Sequence, residues 1–174
     1  MSKCTFLTKG RILIEDAKFA FRKTNFSGEE IRDPKTNKII NTEGKRNFSV
    51  VIEDPDFAQE LAELGWNVKL KKQYNPDDPI IHYIDVEVSF RPVRNTPDLE
   101  VRMITDKAQV FLSEDTIEIL DHSEISTLDV IIRPYTYTKD NGEDAVKAYL
   151  HKMVVVIETD VLDKKWGSME YPEE

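Results

Sequence analysis

The sequence contains only one cysteine, Cys4, in 174 residues. A disulfide framework and a thiolate metal cluster are therefore both excluded within the chain. No apolar run approaches the roughly 20 residues that a membrane-spanning helix needs, and no charged-then-apolar leader opens the chain. We therefore expect a soluble protein in a reducing, intracellular setting, with no membrane partner.

The motifs of a typical enzyme site are also missing. The sequence has no glycine-rich nucleotide loop, no zinc-ligand spacing and no nucleophile elbow. His82, His122 and His151 are scattered without a metal-ligand pattern. Carboxylates cluster at residues 75–79 and 140–144, but the Asn, Asp, Pro and Gly residues there favour turns over a calcium loop. We predict a protein with no catalytic residue, no bound metal and no cofactor.

Acidic residues outnumber basic ones by 33 to 24, which gives a net charge of −9. Taken alone, this balance argues against a partner as anionic as nucleic acid. The two signs are unevenly distributed, however. Residues 1–50 contain 11 Lys/Arg and 6 Asp/Glu, whereas residues 51–174 contain 13 and 27. Because local field rather than total charge steers a polyanion, the basic N-terminal end leaves such a partner open.

Apolar and polar residues alternate with a period of two over most of the chain, so we predict a mainly β fold. The pattern predicts strands at residues 10–22, 47–53, 66–73, 80–91, 101–105, 126–137 and 145–157. Residues 23–46 are rich in turn formers and bases, which predicts a long mobile basic loop or a loose hairpin. Alternation is lost from about Thr159, so we expect one domain over residues 1–158 and a flexible acidic tail over 159–174.

Two short helices are predicted to interrupt the strands. The first has Asp54 at its cap, Pro55 at its first position and Gly65 just past its end. Its apolar face is expected to consist of Phe57, Leu61 and Leu64. The second is predicted over 113–120, with Ser113 as its cap.

The strand after Gly65 has two faces by alternation. Trp66, Val68 and Leu70 share one face, and we expect Trp66 to lie in the core, since large aromatics in register with aliphatics are usually buried. Lys69 and Lys71 lie on the other, exposed face.

The last two predicted strands interleave aromatic and basic side chains. Arg133, Tyr135 and Tyr137 share a face in one strand. In the other strand Lys147, Tyr149 and His151 share a face, and the opposite face carries Val146, Ala148, Leu150, Val154 and Val156. Aromatic rings that stack on bases and cations that hold phosphates are typical of a single-strand groove. Cross-strand tyrosines also stabilise ordinary sheets, so both interpretations stay open here.

The turn between these strands decides whether their open faces coincide. A two-residue loop at Asn141 and Gly142 would place Tyr135 beside Ala148 and mix the open and buried faces. A three-residue loop, residues 140–142 with Gly142 in the left-handed conformation, places Tyr135 beside Lys147. We predict the three-residue loop.

Four segments in order, "RNFSVVIEDPDFAQELAELGWNVK", "YNPDDPIIHYIDVEVSF", "LDVIIRPYTYT" and "DAVKAYLHKM", resemble the single-stranded DNA-binding proteins of tailed bacteriophages. The resemblance covers about residues 45–158. It implies an OB-fold-like five-stranded barrel with an extra short helix, a long basic loop and a flexible acidic tail. It also implies a non-enzymatic protein that coats single-stranded DNA without sequence preference during phage replication, recombination or repair, in the cytoplasm of the bacterial host.

Parity and composition supply the candidate DNA-binding residues: Lys45, Arg46, Lys69, Lys71, Arg133, Tyr135, Tyr137, Lys147 and Tyr149. The resemblance implies single-stranded DNA as partner, with replication or recombination proteins meeting the acidic tail, although Glu174 ends the tail where an apolar residue is common. Two alternatives remain: a phage structural or protein-interaction module, and a magnesium-dependent nuclease that uses the Asp/Glu clusters.

Overall fold

The computed structural model describes residues 2–158, so the acidic tail predicted at 159–174 lies outside the described residues. Eleven strands are present in the described part: β1 Lys3–Phe6, β2 Ile12–Glu15, β3 Ile31–Arg32, β4 Ile39–Asn41, β5 Arg46–Ile52, β6 Val68–Lys71, β7 Ile81–Val88, β8 Glu100–Ile104, β9 Gln109–Leu112, β10 Ile125–Thr138 and β11 Asp144–Ile157. One α-helix, α1, spans Pro55–Glu63, and short 3₁₀ helices span Thr8–Gly10 and Ile117–His122. None of the helices in this part of the chain is long and apolar enough to cross a bilayer.

Nine of these strands form one sheet, and β3 and β4 form a separate two-stranded hairpin. The main sheet runs β1-β2-β10-β11-β7-β5, with β6 paired to β7 and with β8 paired to both β11 and β9. The mainly β prediction is confirmed. The prediction of five barrel strands is wrong, since the sheet has nine strands and is not closed into a barrel.

The long first strand predicted at 10–22 is wrong as well. Residues 8–10 form a 3₁₀ turn, the strand covers only Ile12–Glu15, and Asp16 has a left-handed φ of 53° that ends it. The following residues cross from β10 to β5, because Ala17 donates its N–H to Leu128 and Ala20 donates to Ser49. The alternation of apolar and polar residues continues beyond Asp16 because Ala17 and Ala20 are buried, although neither lies in a strand. Strands β1 and β9 have four residues each and were not predicted from the sequence.

The helix predicted after Asp54 is confirmed in its start and its stop. The Asp54 carboxylate accepts hydrogen bonds from the N–H groups of Asp56 and Phe57, and Gly65 follows the helix with a φ of +94°. Phe57 and Leu61 are buried as predicted, but Leu64 is 61% exposed. Leu64 is the residue that ends the helix, where the chain turns away, so the 3.6-residue period no longer predicts its direction.

The second helix differs from its prediction. Residues 114–116 form a turn, and the helix that follows is of the 3₁₀ type and begins at Ile117. The Ser113 side chain does not cap it; instead the Ser113 carbonyl accepts the N–H groups of Thr116 and Ile117. The helix has six residues and buries only Ile117 and Leu120, so α-helical geometry would add little stability. The segment forms the tighter 3₁₀ helix instead.

The core lies on the inner face of the main sheet. It contains alternating residues of each long strand, such as Phe48 and Val50 in β5 and Ile84 and Val86 in β7. Trp66 is 6% exposed, so its assignment to the core is confirmed. Leu70, which shares the face of Trp66 by alternation, is 62% exposed. Strand β6 pairs only with β7 and lies at an edge, so neither of its faces is fully covered.

Candidate nucleic-acid interface

An open cleft of about 800 Å³ lies on the outer face of the sheet. We call it the Tyr–Lys cleft, after the tyrosines and lysines among its lining residues: Ile31, Ile40, Asn41, Lys45, Asn47, Trp66, Asn67, Lys69, Ile84, Asp85, Val86, Glu87, Tyr135, Tyr137, Val146, Lys147, Ala148 and Tyr149. Strands β5, β6, β7, β10 and β11 supply lining residues, and the β3–β4 hairpin contributes Ile31, Ile40 and Asn41.

The β10–β11 hairpin has the predicted register. Tyr135 is opposite Lys147, and Arg133 is opposite Tyr149. The Lys139 N–H donates to the Glu143 carbonyl, and Gly142 in the three-residue loop between them has a φ of +86°. The odd-length loop is therefore confirmed, and it brings the two interleaved faces of aromatic and basic residues together.

A β-bulge at His151 changes the faces further along β11. The register shifts between Ile131 and Ile132, which leaves His151 as an extra residue on the β11 side. His151 is buried, so the prediction that it shares the open face with Lys147 and Tyr149 is wrong. Beyond the bulge Met153 and Val155 point to the core, whereas the prediction placed Val154 and Val156 there. Alternation cannot reveal an inserted residue, so these assignments were wrong.

Arg11 is the main neighbour of the buried His151. Nη1 of Arg11 lies 3.1 Å from Nε2 of His151, an arrangement in which the guanidinium donates to a neutral ring. Burial lowers the pKa of His151, and the positive charges of Arg11, Lys152 and Arg133 lower it further. His151 is thus a structural histidine behind the cleft.

The three tyrosines of the cleft have different surroundings. Tyr135 and Tyr137 are 53% and 41% exposed, so their rings are open to a ligand. The ring of Tyr149 is half-buried, with the Arg133 guanidinium 4.7 Å and the Lys147 ammonium 5.4 Å from its centroid. Tyr149 therefore orients two cations, and the outer tyrosines offer the free aromatic surface.

One row of side chains runs across the cleft and ends just beyond it at Arg133. Asn47 of β5 is paired with Glu87 of β7, Glu87 with Tyr149 of β11, and Tyr149 with Arg133 of β10. All four lie on the face opposite the buried Val86 and Ala148. The order of strands thus places residues from four distant parts of the chain side by side.

Two of the cleft lysines form ion pairs with β7. Nζ of Lys69 lies 2.5 Å from Asp85, and Nζ of Lys147 lies 2.5 Å from Glu87. The hydrogen bond that Lys69 donates to the Asp85 carboxylate is the main cause that raises the pKa of Lys69. Burial acts to lower the pKa of Lys147, but the hydrogen bond and charge of Glu87 outweigh it and the pKa is raised. Both lysines are therefore cationic at neutral pH.

The basic loop predicted at 23–46 is an ordered arm. Its tip is the β3–β4 hairpin, in which Asp33 receives the N–H of Asn37, and its base is fixed by polar side chains. The Asp121 carboxylate accepts hydrogen bonds from the Thr24 hydroxyl and from the N–H groups of Phe26 and Ser27. Of the two structures left open by the sequence, the hairpin is the one observed.

Asparagines join this arm to the sheet. The side-chain NH₂ of Asn41 donates to the Glu29 and Lys45 carbonyls, and its carbonyl oxygen accepts from Asn47 of β5. Ile31 and Ile40 of the hairpin consequently line the same cleft as the tyrosines, and Ile40 is well exposed. An apolar side chain held there supplies a second surface for a flat ligand.

Six of the nine predicted DNA-binding residues line the cleft: Lys45, Lys69, Tyr135, Tyr137, Lys147 and Tyr149. Arg133 lies just beyond it, on the Tyr149 ring. Arg46 points elsewhere and pairs with Glu114, and Lys71 donates to the Ala20 carbonyl while its ammonium lies over Phe21. The structure thus assembles most of the predicted set in one place and separates Arg46 and Lys71 from it.

Sequence reasoning missed several lining residues. Asp85 and Glu87 alternate with the buried Ile84 and Val86 in β7 and line the cleft, but they are not among the predicted binding residues. The adjacent apolar residues Ile39 and Ile40 in a basic, turn-rich segment were the sequence feature that could have predicted the hairpin's part in the cleft. No group of three or more His, Cys, Asp or Glu residues in the described part of the chain is placed to hold a metal ion.

Solved structures similar to this fold come from a bacteriophage. The single-stranded DNA-binding protein of bacteriophage Enc34 in complex with ssDNA aligns with a TM-score of 0.53 at 11% identity, over 92% of this chain and 93% of that chain. A second structure of the single-stranded DNA-binding protein from bacteriophage Enc34 gives a TM-score of 0.51 at 11% identity, over 92% of both chains. These likenesses show the fold, and they confirm the OB-like prediction.

Sequence comparisons give a family. A search of the curated proteins finds no match to this sequence. The family model described as "Putative phage ssDNA-binding domain" matches residues 1–174, the full length of the chain. With its fold and its cleft of tyrosines and lysines, this chain belongs to the phage ssDNA-binding domain family.

Proposed function

We propose that the protein coats single-stranded DNA by holding the strand in the Tyr–Lys cleft. The observation that carries this proposal is the joining of exposed tyrosine rings and lysine ammonium groups in one open cleft. Tyr135 and Tyr137 would stack on bases, and Lys45, Lys69 and Lys147 would hold phosphates. The ssDNA complex of the Enc34 protein, which has the same fold, supports this use of the fold.

Binding is expected to be independent of base sequence. Every base has an aromatic face that can stack, whereas sequence readout needs hydrogen-bonding groups presented to base edges. Polar groups on the cleft floor are already engaged, since Asn47 donates to Asn41 and Glu87 pairs with Lys147. The cleft therefore offers stacking and charge, which every DNA sequence can use.

We propose a protective, non-enzymatic role during phage DNA replication, recombination or repair. Membership of the ssDNA-binding family supports it. Docking of replication or recombination proteins on the acidic tail stays a prediction, because residues 159–174 lie outside the described part of the chain.

Fluorescence anisotropy tests the proposal. A labelled oligo-dT of about 20 nucleotides exceeds the roughly 4–16 nucleotides that one OB fold covers. The same measurement on a duplex, at low and high salt, with and without magnesium, separates the alternatives. We expect binding to the single strand that weakens steeply with salt.

Two outcomes would support other functions. No binding to the single strand at low salt would contradict the proposal and favour a structural or protein-interaction module. Shortening of the oligonucleotide in the presence of magnesium would favour a nuclease.

A further inference from the structure

Two carboxylates lie on the floor of a cleft that is proposed to bind a polyanion. Asp85 and Glu87 are on the open face of β7, two residues apart, and both line the Tyr–Lys cleft. Each is in direct contact with one of the lysines, Asp85 with Lys69 and Glu87 with Lys147. The charged groups that line the cleft are thus three lysines and two carboxylates, a net charge of only +1.

Glu87 forms its ion pair with Lys147. Its Oε2 atom, which faces Lys147, is buried and accepts no other hydrogen bond from the described residues. If Lys147 turned to a phosphate, this oxygen would be left buried and unpaired, which is unfavourable. The carboxylate therefore holds the lysine in place in the free protein.

Asp85 is more exposed and has a second donor. The Ser49 hydroxyl also donates to its carboxylate, so Asp85 keeps a hydrogen bond when Lys69 leaves. We expect Asp85 to hold its lysine less firmly than Glu87 does. Lys45, in contrast, makes no ion pair with any described residue, and it is available to a phosphate without competition.

We propose that Asp85 and Glu87 set the affinity and the salt dependence of DNA binding by competing with phosphates for Lys69 and Lys147. This inference rests on the proposed function. A lysine that leaves a carboxylate for a phosphate exchanges one anionic partner for another, so the net gain is small. The freed carboxylate then repels the strand or takes up a cation, and this uptake offsets the counterion release that DNA binding produces.

Neutral isosteres test this competition. Asp85→Asn, Glu87→Gln and the double variant are compared with the wild type by oligo-dT anisotropy over a series of salt concentrations. We expect binding at low salt about twofold to fivefold tighter for each carboxylate removed, the range set by ion pairs near a protein surface. The plot of log affinity against log salt is expected to become steeper by about 0.7 for each lysine released.

A matched control removes the same charge elsewhere. Glu60→Gln with Glu63→Gln, on the exposed face of α1, changes the net charge equally but leaves the cleft intact. An equal gain in this control would overturn the inference, since the effect would then come from net charge alone. Asp85→Asn changes an exposed carboxylate and is not expected to disturb folding. Tighter DNA binding by this variant would support the inference, and an unchanged affinity would contradict it.

The two proposals fail differently. Wild-type binding with an unchanged slope in all three variants would overturn the competition and leave the proposed function intact. Absence of binding in the wild type and in the variants would contradict the proposed function itself.

Discussion

The rings of Tyr135 and Tyr149 meet edge to face, with centroids 6.0 Å apart and an interplanar angle of 86°. This contact uses the edge of one ring and fixes the pair, while Arg133 and Lys147 occupy the surroundings of Tyr149. The face of Tyr135 that points into the cleft is left open, since more than half of this side chain is exposed. Tyr149 thus orients the neighbouring cations, and Tyr135 is free to stack on a base.

Tyr135→Leu is expected to weaken single-strand binding by about 1–3 kcal/mol, because a stacked base loses its aromatic partner. The variant keeps an apolar side chain at an exposed position, so the fold should be unaffected. Anisotropy with oligo-dT measures the change, and Tyr135→Phe, which keeps the ring, should bind like the wild type. Equal affinities for the Leu and Phe variants would show that Tyr135 does not stack on DNA.

Lys45→Ala is expected to lower the affinity and to make the salt dependence shallower by about 0.7 in the slope of log affinity against log salt. Lys45 lines the cleft, and no described acidic residue pairs with it. Lys72→Ala is the control, since Lys72 is exposed and does not line the cleft. A salt series that gives the two variants the same slope would contradict the assignment of Lys45.

Asp121→Ala is expected to destabilise the arm and, through it, DNA binding. The carboxylate holds three donors of residues 24–27, and losing it leaves two backbone N–H groups without this partner. We expect a loss of about 1–3 kcal/mol in the free energy of unfolding, measured by urea denaturation, for each donor left buried and unpaired.

Two further variants define the role of Asp121. Asp121→Asn keeps one acceptor oxygen and should lie between the wild type and the Ala variant. Glu118→Ala changes an exposed acid in the same 3₁₀ helix and should leave stability unchanged. A stable Asp121→Ala variant with full affinity for oligo-dT would show that this anchor does not position the arm.

His151 predicts a pH dependence of stability. Its pKa is lowered in the folded protein, so below its ordinary value of about 6.5 the unfolded chain binds more protons than the folded one. The free energy of unfolding should therefore fall as the pH decreases from 7 through this range. Protonation would also oppose the contact with Arg11, since both groups would then be donors.

Thermal unfolding at pH 7.5 and 5.5 measures this effect. The drop in Tm is expected to be smaller in His151→Gln than in the wild type, because the variant lacks the titrating ring while carboxylates titrate alike in both. An equal drop in the two proteins would contradict a role of His151.

Cys4 is expected to react slowly with alkylating reagents. Burial raises its pKa to about 11, and the charges of Asp54 and Glu53 add to this, so little thiolate is present at pH 8. Iodoacetamide labelling followed by mass spectrometry should be at least about tenfold slower in the native protein than in urea, where an ordinary thiol pKa of about 8.5 applies. Equal rates in the two states would show that the thiol is not shielded.

The features that depend on neighbouring residues are predictable from the sequence alone. Asp54, Pro55 and Gly65 define α1 because capping and chain stopping are local effects. The alternation in β7, β10 and the first half of β11 fixed which side chains are open, and Gly142 fixed the loop that brings Tyr135 opposite Lys147. These determinants lie within a few residues of what they control.

Which open faces meet depends on the fold of the whole chain. Asn47, Glu87 and Tyr149 in the cleft, and Arg133 beside it, lie in one row because strands that are far apart in sequence pair with one another. The bulge at His151 and the exposure of Leu70 depend on what packs against each strand, which alternation cannot express. The competition between carboxylates and lysines follows from the same non-local contacts: the sequence contains the charges, but the fold sets which charges touch.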